Sequence, residues 1–174
     1  MAISFFDLTV KSYLQVMDSS IAFLAKGREH AEAQGVPLTD FVSASLHPDM
    51  NPLHFQIVSI VHHSRGALLG VESGEFGPPT GYGEMDYLAL EAFLATTRDA
   101  LAALDPAMVE SWVDNELVFK LGDMSLPFTA RDFVLSFSLP NFYFHSTTAY
   151  DILRSRGVPL GKRDYLGQIR VNAR

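Results

Sequence analysis

Val10, Leu14, Met17, Ile21 and Leu24 recur in steps of four, three, four and three. Only a helix brings such a series onto one stripe, and the stripe is stable only when buried against other elements. The spacing predicts a helix from a cap at Thr9 to about Gln34, stopped by Gly35 with Pro37 just beyond. Lys26, Arg28 and Glu29 fall outside the stripe and read as a solvated face.

The same reasoning extends along the chain. Residues 37–50 read as a loop with a short helical turn around Phe41. Asn51 and Pro52 open a second helix, to about Gly70, with Leu53, Ile57, Ile60, Val61, Ser64 and Leu68 inward. On that wheel His62 lies opposite the stripe, and His54 and His63 lie at its two edges. A glycine-rich loop, 70–83, leads to a third helix from about Glu84 to Leu104. Its inner stripe is Leu90, Phe93, Thr97, Leu101 and Leu104, and Asp105-Pro106 ends it. From about Val109 to Thr129 the helical period is lost, and two apolar runs flank Gly122-Asp123, the pattern of a β-hairpin. Thr129, with Asp132 three residues on, caps a last helix that ends at Gly157. Pro140 lies inside it and should kink or split it just before Asn141. The tail from Pro159 reads as extended along the surface. The expectation is one all-α domain over residues 1–174: a four-helix bundle with a short β-hairpin before the last helix.

Composition narrows the function. The chain has 174 residues, a formal net charge of −7 and no cysteine. A disulfide framework, a thiol nucleophile and Cys-ligated metals are excluded. Lys and Arg are scattered, so nucleic acid is not an expected partner. No apolar run approaches the roughly 18 residues of a membrane span, and the N-terminus does not read as a signal peptide. A cytoplasmic protein is the expectation. G-x-S-x-G, G-K-[ST] and H-E-x-x-H are all absent, which leaves nucleophile elbows, phosphate loops and the common zinc helix without support.

The chemistry-bearing feature is His145, a lone imidazole at the centre of the apolar face of Asn141–Arg154. At 100° per residue that face also holds Val134, Asn141, Phe142, Ala149, Ile152 and Leu153. A polar ring there needs a partner or costs on the order of 1–3 kcal/mol. His63, the best placed histidine of the second helix, can join it as a second metal ligand, with Asn141 one turn earlier supplying an oxygen. Alternatively His145 is a cofactor-free acid/base whose pKa is lowered by burial, or a core histidine satisfied by backbone, Tyr or Asn.

Several motifs carry a family likeness: Asp7-Leu-Thr-Val, Pro48-Asp-Met, Arg65-Gly-Ala, Phe128-Thr-Ala-Arg-Asp and above all Leu139-Pro-Asn-Phe-Tyr-Phe-His-Ser-Thr-Thr-Ala-Tyr-Asp-Ile-Leu-Arg, followed by Gly161-Lys-Arg-Asp-Tyr-Leu. With them the chain resembles a family of uncharacterised function within the DinB-like superfamily of helical bundles. The resemblance implies a four-helix bundle, often a homodimer. It also implies kinship with isomerases and thiol-dependent transferases that hold a divalent metal such as Zn, Ni or Mn through three histidines, one from the second helix and an H-x-x-x-H pair from the last. Here His145 matches the second of that pair, Asn141 stands at the first, and His63 is the match on the second helix. The expectation is a small-molecule enzyme, metal-assisted or cofactor-free, with a pocket between the second and last helices, His145 and Asn141 as its catalytic groups, and His63 and His145 as metal ligands. The alternative is a non-catalytic ligand-binding or structural bundle.

Overall fold

A computed structural model describes residues 3–172. Ser4 caps a short helix α1, Phe5–Leu8, through Asp7 N. Helix α2, Val10–Gln34, follows directly. Thr9 is not its side-chain cap; its hydroxyl donates instead to Phe5 O at 2.6 Å. At the other end Gly35 is left-handed (φ 66°), and Val36 N closes onto Ala31 O, the turn that only a residue without Cβ adopts readily.

The buried face of α2 is wider than the predicted stripe. Tyr13, Val16, Ser20, Phe23 and Gly27 are buried, whereas Leu14 and Ile21 are only partly so. The helix meets two neighbours, the third and last long helices, so its buried face spans more than one stripe. The turn expected around Phe41 is α3, Leu38–Val42, and Phe41 is buried.

The second long helix runs as α4, Leu53–Val61, a π turn His62–Gly66, and α5, Ala67–Ser73. It passes Gly70 and stops at Gly74, which is left-handed (φ 83°). Gly70 is needed for another reason: a Cβ there would meet the Phe76 ring at 2.9 Å. Strand β1, Glu75–Phe76, follows. The third long helix is α6, Tyr87–Ala102, capped by Asp86 rather than opening at Glu84. It buries Tyr87, Leu90, Leu94, Thr97 and Leu101 and leaves Phe93 partly exposed, while Leu104 lies beyond its end.

Asp105 caps a further short helix, α7, Pro106–Ser111. The hairpin is β2, Glu116–Leu121, paired antiparallel with β3, Met124–Thr129, across Gly122. The unforeseen β1 pairs parallel with β2, setting Phe76 opposite Phe119. Thr129 caps α8, Ala130–Phe133, accepting from Asp132 N at 3.2 Å. A second π turn, Val134–Ser138, immediately precedes the last long helix α9, Leu139–Ser155, with Pro140 in its first turn. The disturbance expected at Pro140 therefore takes the form of a widened turn, which accommodates a residue with no N–H to donate. The tail is not simply extended: α10, Lys162–Leu166, lies on α2 through Lys26–Asp164 and a bond from Gln15 to Leu166 O.

Around the bundle the long helices follow the order α2, α6, α4, α9, with α2 and α4 on a diagonal. The fold is mostly helical with one small three-stranded sheet. No helix among the described residues is long and apolar enough to cross a membrane.

Candidate active site

Three histidines meet where the two π turns face each other. His62 and His63 lie in the first π turn, and His145 lies on α9, seven residues beyond Ser138, the last residue of the second. The rings of His63 and His145 are nearly parallel, 14° apart, with centroids 5.6 Å apart. His62 meets His63 edge-on at 5.2 Å. The π turns are tied by a buried relay: Tyr13 donates to Ser138 Oγ at 2.6 Å, and Ser138 Oγ donates to His63 O at 2.7 Å. That carbonyl lies where the π turn loosens regular helical pairing, so the serine satisfies a group the backbone cannot fully serve.

His145 sits on the flank of the α9 face, not at its centre. Phe142, Ser146, Ala149 and Leu153 occupy the centre and are buried, while His145 is half-buried. The reason is that α9 packs between two helices. Ser146 turns to Ser20 of α2, and His145 turns to Gln56 of α4.

The proton of His145 can be placed from its partners. Gln56 has one amide atom 2.9 Å from Asn51 O and the other 2.7 Å from His145 Nδ1. A backbone carbonyl only accepts, so Gln56 Nε2 faces Asn51 and Gln56 Oε1 faces the imidazole. An amide oxygen also only accepts, so His145 Nδ1 carries the hydrogen and Nε2 carries a lone pair. That Nε2 has no protein partner among the described residues and is not sealed from solvent. The same logic fixes His62: Nε2–H donates to Gly77 O at 2.7 Å, and Nδ1 keeps its lone pair, 3.5 Å from the Tyr82 hydroxyl.

His63 is the converse of His145. Its Nδ1 is buried without a partner among the described residues. A buried N–H with no acceptor is worse tolerated than a buried lone pair, so the proton belongs on Nε2. Burial, then His62 and His145, push its pKa down to about 3. Burial and His62 push His145 down to about 4, and burial lowers His62. Each shift favours the neutral ring, and among the described residues no Lys, Arg, Asp or Glu is a cause of any of them.

Aromatic rings enclose the cluster. Phe76, delivered by β1, stacks on His62 at 4.4 Å. Phe137 packs on His63 at 5.8 Å. Phe55 and the largely exposed Phe144 flank His145 edge-on at 5.8 and 5.3 Å.

His62 was expected to face away from the core. The 70–83 loop folds back over it, and the π turn shifts the helical phase by adding a residue to one turn. His54 stays outside the cluster, with Nε2 3.2 Å from Gly83 O and from Met85 N. Asn141 is not brought into it either: its amide donates to Phe137 O at 2.8 Å and staples its own helix. Gln56, His62 and Tyr82 are the site residues that the sequence reading missed. The available signal was Gln56, a polar residue amid Leu53, Ile57 and Ile60. Clefts of ≈ 410 Å³ at β2–β3 and ≈ 520 Å³ between α2 and residues 168–171 lie elsewhere on the surface and are not lined by the histidines.

The chain matches over residues 5–166 the model of a domain of unknown function, DUF1993. It belongs to that family. A DinB family member protein from Shewanella denitrificans has a crystal structure similar to it, at 25% identity and a TM-score of 0.81, covering 97% of this chain and 95% of that one. No curated protein matches the chain. The DUF1993 chain is thus an all-α bundle of DinB-like fold.

A three-histidine metal centre of the kind the superfamily resemblance implies does not fit these residues. Among the described residues no group of three His, Asp or Glu is arranged to hold a metal ion. His63, the third ring, has its Nδ1 buried and facing no other donor among the described residues. The remaining position is Asn141, whose amide is turned to its own backbone.

Proposed function

We propose that this DUF1993 protein is a cofactor-free acid/base enzyme that moves a proton within a small carbonyl compound, an isomerase of the keto–enol kind. The observation that carries this reading is the partnering of two adjacent imidazoles: Gln56 Oε1 meets His145 Nδ1, while His63 Nδ1 is buried without a partner among the described residues, which gives the rings opposite proton polarity. His145 offers a lone pair at Nε2, and His63 offers an N–H at Nε2. In such a reaction His145 takes a proton from the carbon beside the carbonyl. The C–H electron pair forms the new C=C bond, and the C=O π pair moves to oxygen, where the His63 N–H holds it. His145 then returns the proton to a different atom of the same molecule, so no oxidant, reductant or second substrate is consumed. Gln56 acts through His145 by fixing its tautomer and ring orientation, as a base needs a third group to orient it. A neutral imidazole is a competent electrophile when its pKa is well below the working pH. Metal-dependent thiol transfer is the less supported reading, since no group of three His, Asp or Glu among the described residues is arranged to hold a metal.

The test is exchange of solvent deuterium into a panel of small ketones and 1,3-dicarbonyl compounds. The wild-type protein should accelerate exchange for at least one of them. His145→Gln should abolish the acceleration, and Gln56→Leu should lower it by about 10²–10⁴, the usual worth of a positioned acid/base. Equal rates for wild type and His145→Gln would overturn the reading. A second reading is favoured by the Gln56–His145 bond itself: a non-catalytic bundle in which this pair staples α4 to α9. Under it, His145→Gln lowers stability and no compound exchanges faster with the wild type.

A further inference from the structure

The polarity of the site also says what it accepts. This inference rests on the histidine cluster read above as an acid/base site, but it concerns binding and does not require turnover.

Two hydrogen-bond chains end at the cluster. In one, Asn51 O accepts from Gln56 Nε2, and Gln56 Oε1 accepts from His145 Nδ1. In the other, Gly77 O accepts from His62 Nε2. Each chain is anchored at a backbone carbonyl, which has no choice of role, so each forces a lone pair onto the far nitrogen of its imidazole. His63 is left as the single ring of the three whose N–H meets no protein acceptor among the described residues, because its other nitrogen is buried without a partner. The walls are Phe55, Phe76, Phe137 and Phe144. Among the described residues no Lys, Arg, Asp or Glu is a cause of the shifts of the three rings, and Arg65 of the same π turn has its Nη1 buried without a partner.

We propose that the site selects an uncharged, largely apolar carbonyl compound and rejects carboxylates, and that Gln56 sets this selectivity through the hydrogen-bond chain that fixes His145 as an acceptor. A ketone oxygen takes the His63 N–H, while its acidic C–H or enol O–H side meets the His145 lone pair. A carboxylate at the same place would set its negative oxygens against the lone pair of His145, with one neutral N–H to offset its lost hydration. Gln56 is then the specificity residue. Glutamate at that position would bring a negative charge to His145 Nδ1, favour the imidazolium and turn Nε2 from acceptor into donor.

The experiment measures binding of acetophenone, ethylbenzene and benzoate by the ring resonances of His63 and His145. Wild-type protein should bind acetophenone at least tenfold more tightly than either of the others, with both rings perturbed. Gln56→Glu should raise benzoate affinity at least tenfold and weaken acetophenone. If circular dichroism shows that this variant does not fold, Gln56→Leu takes its place and should move the acetophenone-to-benzoate ratio toward one. His63→Phe should remove the preference for acetophenone over ethylbenzene. Benzoate binding as well as acetophenone in the wild type, no perturbation of either ring by acetophenone, or an unchanged ratio in the position-56 variant would overturn the proposal. Acetophenone binding with no His145-dependent deuterium exchange would sink the catalytic reading and leave this one standing. Exchange without the selectivity would do the reverse.

Discussion

At His63 burial and hydrogen bonding are out of balance. Its ring is 6% exposed and Nδ1 meets no partner among the described residues. Burial pushes its pKa from 6.5 down to about 3. The unfolded chain therefore binds the proton more readily than the folded one between those two values, and stability must fall as pH is lowered through that window. Above about pH 6.5 the contribution is flat. The expected slope from His63 alone is about 1.4 kcal/mol per pH unit, read as the change in urea-unfolding free energy between pH 6 and pH 4. His63→Phe should flatten the profile. A profile equally steep in that variant would show that other groups carry the acid sensitivity. Nothing in the sequence marks this imbalance. It arises from Phe76 and Phe137, which pack on His63 from 13 and 74 residues away.

The elements that were legible are those specified locally. Gly35 and Gly157 end their helices in the left-handed region, Thr129 caps α8, and Pro140 disturbs the helix it enters. Each acts through its own backbone and a few neighbours. The π turns have no comparable signature. A π turn is a compromise between two packing demands, here Ser138 reaching His63 O while Pro140 denies the regular ladder a donor. The two-residue strand β1 was equally silent, since its only pattern is the register it takes from β2. That strand nevertheless delivers Phe76 to His62, and Gly70 is what lets it come so close. Gly70→Ala would set a Cβ 2.9 Å from the Phe76 ring and 3.1 Å from Glu75 O. The carbonyl is backbone, and the ring is pinned between His62 and Phe133 at 4.4 and 5.1 Å, so neither can move aside cheaply. The substitution should cost about 1–3 kcal/mol and displace the His62 ring signals. An unchanged melting temperature would contradict this packing account.

At the level of the whole molecule, the site is a product of assembly. Asn51 lies in the loop before α4, Gln56 on α4, Gly77 in the loop after β1, and His145 on α9, and only the folded bundle joins them. The Gln56–His145 bond spans 89 residues. The periodicity that revealed four helices therefore had no means of revealing that pair, and His145 had to be read as a polar residue still in search of a partner. Likewise the diagonal placement of α2 and α4 decides that His145 meets the second long helix directly, while Ser146 meets the first. This assembly holds the His63 and His145 rings in opposite proton polarity. The most direct test is the pattern of ¹⁵N resonances of the imidazole rings at pH 7, assigned with His63→Phe and His145→Phe. The expected pattern is an unprotonated Nε2 on His145 and a protonated Nε2 on His63, with His145 exchanging its tautomer preference on Gln56→Leu. A protonated His145 Nε2 at pH 7, as the other tautomer or as an imidazolium, would contradict it.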